Sequence, residues 1–181
     1  MPVLPADPVQ IEQLLVASIR DTFLAVPLIA QFAKVELRER FPDSDEDDID
    51  ISTVDDPGNS ALRFTSIIQI GMPTVSENPY TSEHMTQLDF TYPITFDMGV
   101  VDEWDNSDNS LDYTSSRALF MAIYMTARAK FKESKILGSF ENCEHDYLQQ
   151  ENVATVEDEE TGGHLHCADW TLVVHVKGIT V

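Results

Sequence analysis

Gln87-Leu88-Asp89-Phe90-Thr91-Tyr92-Pro93-Ile94-Thr95-Phe96-Asp97-Met98 alternates without a break between apolar and polar side chains. Leu88, Phe90, Tyr92, Ile94, Phe96 and Met98 fall on one side, and Gln87, Asp89, Thr91, Pro93, Thr95 and Asp97 on the other. A period of two predicts a half-buried antiparallel strand with one face on a core. Pro93 has no N–H to give to a ladder, so the strand carries an edge or a bulge at that point.

Working outward, Leu62 to Ile70 reads as a partner strand, and Gly71 to Ser82, with Pro73 and Pro79, reads as a long connection. Residues 71–86 are expected to project as a hairpin arm. On the N-terminal side, Asp7 can cap a helix that Pro8 opens, and Ile11, Leu14, Leu15, Ile19 and Phe23 recur at helical spacing. Pro27 kinks or restarts that helix, and Leu28, Ile29, Phe32 and Val35 carry an apolar face to about Arg40. On the C-terminal side, a second helix runs from about Asp112 to Lys135. Leu119, Ala122, Ile123 and Thr126 form its stripe, and Phe120, Tyr124, Ala127 and Phe131 widen it. Arg128, Lys130, Lys132 and Lys135 suit the negative end of its dipole. Glu144 to Val156 and His164 to Val176 read as a closing hairpin. The expectation is one α+β domain over 1–181, in the order α-β-β-α-β-β: an antiparallel or mixed sheet of about four strands on two main helices.

Charge limits the function. Thirty-two acidic residues against 11 basic ones give a formal net charge of -21. Such a surface repels phosphate and anionic membrane at long range, so ordinary nucleic-acid reading and membrane binding are not expected. Three readings remain: a protein of a high-salt organism, the lining of a channel through which DNA slides, or a DNA mimic. Residues 41–60 hold eight of the acids, Asp43, Asp45, Glu46, Asp47, Asp48, Asp50, Asp55 and Asp56. Only Ile49, Ile51 and Val54 could pack there, too little to offset ordering entropy, so this loop is predicted mobile unless a partner orders it. Met1 to Asp7 lacks the basic start of a signal peptide, and no apolar run is long enough to span a bilayer.

Chemistry is harder to find. The glycines form neither nucleotide-binding fingerprint, and no serine sits in a glycine-flanked elbow. Asp45, Asp47 and Asp50 lack the glycine and terminal glutamate of a calcium loop. Cys143, His145, His164, His166 and Cys167 are zinc-type donors. With a turn centred on Glu159 and Glu160, however, Cys167 faces Asn152 and Cys143 faces Val176. That separates the thiols by roughly 30 Å at ~3.3 Å per residue. Neither a metal nor a disulfide is expected there, and His164 and His166 are read as dressing one strand face. No catalytic residue and no cofactor is assigned. Trp104, between Glu103 and Asp105, and Tyr80 are candidate anchors at a subunit contact.

An N-terminal helix, a strand pair ending in a long aromatic strand, a second helix and a closing strand resemble the tail-terminator proteins of long-tailed phages. Gln87 to Phe96 occupies the place of that family's middle strand. His166-Cys167-Ala168-Asp169-Trp170-Thr171-Leu172-Val173-Val174-His175-Val176 resembles its last strand. The resemblance implies a virion protein forming a six-membered ring at the tail–head junction, assembled in the host cytoplasm. Its partners would be the tail tube protein and the head connector, with DNA passing through the lumen without specific binding. Asp43 to Asp56 would then face partner or lumen. The competing readings are an acidic DNA-mimic or inhibitor module, and a small metal-dependent enzyme using the late His/Cys group.

Overall fold

The computed structural model describes residues 7–37, 64–79, 86–100, 113–133, 143–148, 152–157 and 163–179. The elements run α1 (Pro8–Leu24), α2 (Pro27–Phe32), β1 (Lys34–Leu37), β2 (Phe64–Ile70), β3 (Thr74–Pro79), β4 (Thr86–Val100), α3 (Ser116–Glu133), β5 (Cys143–Leu148), β6 (Ala154–Glu157) and β7 (His164–Ile179). This corrects the expected architecture. Among the described residues, seven strands and three helices replace about four strands and two main helices, and the order is not α-β-β-α-β-β.

The helices start as the sequence dictates. Asp7 Oδ1 accepts from the Val9 N–H at 3.0 Å, and Pro8 supplies the first helical position. Ile11, Leu15, Ile19 and Phe23 are fully buried, while Leu14 stays 40% exposed at the stripe's margin. Pro27 restarts the chain as α2, whose apolar pattern ends at Phe32. Residues 34–37 are not its continuation but β1, paired in parallel with β2 (Val35 opposite Ile68).

β4 and β7 form the spine, antiparallel from Val100↔His164 to Thr86↔Ile179. The sheet runs β1-β2-β4-β7-β5, with β3 beside β4 and β6 beside β7. Alternation along β4 holds to the residue: Leu88 through Met98 bury their even-numbered side chains, and Pro93 is exposed. The helices contribute Phe23, Leu119, Phe120, Ile123, Tyr124 and Phe131 to the same core as Phe90, Phe96, Trp170 and Leu172. The aromatic centre is tight. Phe23 lies 4.6 Å from Phe131 and 5.9 Å from Phe96 between ring centroids, and Trp170 lies 4.8 Å from Phe131. The opposite sheet face carries Asp89, Thr91, Thr95, Asp97, Asp169, Thr171 and His175.

The expected projecting loop 71–86 is also corrected. Thr74–Pro79 is strand β3, laid against the first half of β4. Thr74 to Asn78 are all exposed, Val75 included, so no apolar alternation marks the strand. Ile70↔Ile94 and Thr74↔Thr91 leave three residues, 71–73, opposite two, 92–93. This is a bulge. The Gly71 N–H donates to the Pro93 carbonyl at 2.8 Å. Because N and C=O of one strand residue point the same way, the missing donor of Pro93 falls at the bulge and not in the β4–β7 ladder. A Cβ on Gly71 would sit 2.7 Å from Pro93 Cγ and 3.2 Å from its carbonyl oxygen. Gly71→Ala should therefore destabilise by about 1–3 kcal/mol as an overpacked contact. Gly71→Ala with Pro93→Ala should recover part of that loss in a denaturant-unfolding cycle, whereas simple additivity would place the strain elsewhere.

The expected first strand of the closing hairpin, Glu144 to Val156, is instead two strands, β5 and β6. Cys143↔Val176 through Leu148↔Thr171 keep the expected register, but Ala154↔Cys167 is shifted by two residues. Leu148 and Ala154 have five residues between them in the chain, whereas their partners Thr171 and Cys167 have three, a difference that alternation cannot show. The acidic run Asp43 to Asp56, Tyr80 and Trp104 lie outside the described residues. None of the described helices is long and apolar enough to cross a membrane.

Candidate functional site

Two polar clusters sit on opposite faces of the β4–β7 spine. The inner one joins β7, β6 and the start of α3. Ser115 caps α3 through its Oγ, which accepts from the Ala118 N–H at 3.2 Å. The next residue, Ser116, points its Oγ at His166 Nε2, 2.6 Å away, and Thr155 Oγ1 lies 2.9 Å from His166 Nδ1. Arg117 donates to the Thr155 hydroxyl. A neutral imidazole donates from one nitrogen and accepts at the other, and a hydroxyl does either, so two hydroxyls satisfy either tautomer. Phe120 and His164 flank the ring, with centroids 5.7 and 6.4 Å away.

A serine beside a histidine suggests a nucleophile and its base. Exposure decides against that reading: Ser116 is 0% and His166 2% exposed, so no substrate carbonyl can reach the hydroxyl. The arrangement is a buried polar clasp between α3, β6 and β7. His164 and His166 do share one strand face, and at His166 that face is the inner one. His166 shares parity with Ala168, Trp170 and Leu172 and points inward with them. His145 is also tethered inward, with Nε2 donating to the Phe131 carbonyl near the end of α3 at 3.1 Å.

The zinc-type donors are not brought together. Cys143 stands opposite Val176 and Cys167 opposite Ala154, both as free thiols. Among the described residues no three His, Cys, Asp or Glu side chains converge as ligands of one ion. Burial, with the neighbouring Glu144 charge, pushes the Cys143 thiol up to about 12, which keeps it protonated and a poor nucleophile at neutral pH. Burial and the charges of Asp97 and Asp169 raise Cys167 as well.

No protein-family model and no curated protein matches the chain.

The outer cluster spans four strands. Asp89 on β4 stands opposite His175 on β7, and Glu144 on β5 stands opposite His175 from the other side. His175 Nδ1 lies 2.7 Å from Asp89 Oδ1, and Nε2 lies 3.4 Å from Asp146 Oδ2. Gln87 donates to Asp89 Oδ1 and Asn78 on β3 to Asp89 Oδ2, both at 2.7 Å. Lys177 pairs with Glu144 alongside. Partial burial raises the Asp89 carboxyl, but hydrogen bonds from His175, Gln87 and Asn78 and the His175 charge outweigh it. The net position is below the ordinary carboxylate value.

That depression has a sign. A carboxyl lower in the folded than in the unfolded chain adds stability that is present above the unfolded value, 3.8, and lost as pH falls through the folded one. Urea unfolding between pH 6 and pH 2.5 should show wild type losing more stability below about pH 4 than Asp89→Asn. Parallel curves for the two chains would remove Asp89 from the account of acid sensitivity.

Proposed function

We propose that this chain is a structural virion protein that forms a ring at the head-proximal end of a viral tail tube, ending tube growth and joining the tail to the head connector. The observation that carries this reading is the frame of long elements. Helix α1, the long aromatic strand β4, helix α3 and the long closing strand β7 follow one another in the order that resembles tail terminators. Short strands fill the space between them. Among the described residues the helices pack on one face of the sheet and none covers the polar face, an arrangement suited to lateral assembly. The serine–histidine pair, the most enzyme-like feature among the described residues, is sealed from substrate. A net charge of -21 suits a wall past which DNA must slide, because like charge prevents sticking. In this reading Asp43 to Asp56 face the lumen or a partner, and Tyr80 and Trp104 anchor subunit contacts.

Native mass measurement and negative-stain electron microscopy, with and without tail tube protein, test the proposal. The expected result is a closed ring, six-membered by resemblance, that binds one end of the tube. A chain that stays monomeric at all concentrations and never associates with tube protein would sink it.

A further inference from the structure

We draw no further inference here: the strongest candidate, the exposed apolar side chains Leu37, Met72 and Val75 along the β1–β3 margin of the sheet, carries nothing because nothing in the structure shows what covers that margin.

Discussion

Phe23→Ala should lower the unfolding free energy by about 3–5 kcal/mol. Phe23 is fully buried on α1, and its ring meets Phe96 of β4, Phe131 of α3 and Trp170 of β7. One side chain therefore joins two helices to both spine strands. Its removal loses the transfer free energy of the ring and leaves a cavity. The rings around that cavity are already fixed against one another: Trp170 packs on Phe131 at 4.8 Å and on Phe96 at 5.8 Å. Collapse into the space is hindered, which places the cost high in its range. Set against a typical total of about 5–15 kcal/mol, such a loss takes a third or more of the stability. Guanidinium unfolding followed by far-UV circular dichroism measures it. A loss under about 1 kcal/mol would mean that α1 packs loosely on the sheet.

Ser116→Ala should cost about 1–3 kcal/mol, well beyond the small change in volume. The substitution removes the hydroxyl that faces His166 Nε2 at 2.6 Å in a place with no exposure. The imidazole nitrogen keeps its desolvation cost and loses that partner. His166→Leu in the Ser116→Ala background should then recover stability, because an apolar pair of similar shape needs no partner. A double-mutant cycle by urea unfolding checks the sign of the coupling. If the double variant is as unstable as the two single losses added, the clasp is not a coupled unit.

The alternation from Gln87 to Met98 was readable to the residue because both causes act locally: the pleat sets the period, and one buried face sets the sequence. The same parity rule places His166 inward with Trp170, so its burial was legible; its partner Ser116, fifty positions away, was not. The register of β5 against β7 followed from the position of the turn, but the two extra residues before β6 carry no pattern. At β1, Val35 continues the apolar spacing of α2, so local periodicity predicts helix there. The strand state of β1 comes from parallel pairing with β2, a tertiary contact that local periodicity does not encode. β3 looks like a connection in the sequence because an exposed edge demands no apolar alternation. The Asp89–His175 contact depends on the β4–β7 register, and no turn joins those strands to announce it.

The pairing of β4 with β7 also governs the time course of folding. Its partners are 64 residues apart at Val100 and His164, and 93 apart at Thr86 and Ile179. Contacts so distant in sequence place the chain among slow folders, since loop closure must come before the ladder returns any stabilisation. Synthesis at about 5–20 residues per second leaves β4 outside the ribosome for several seconds before β7 exists. During that interval Phe90, Tyr92, Ile94 and Phe96 lack half of their eventual cover, along a strand whose edge is open to any other chain. A nascent-chain holding factor, or a low expression temperature, should raise the yield of soluble protein more than any stabilising surface mutation.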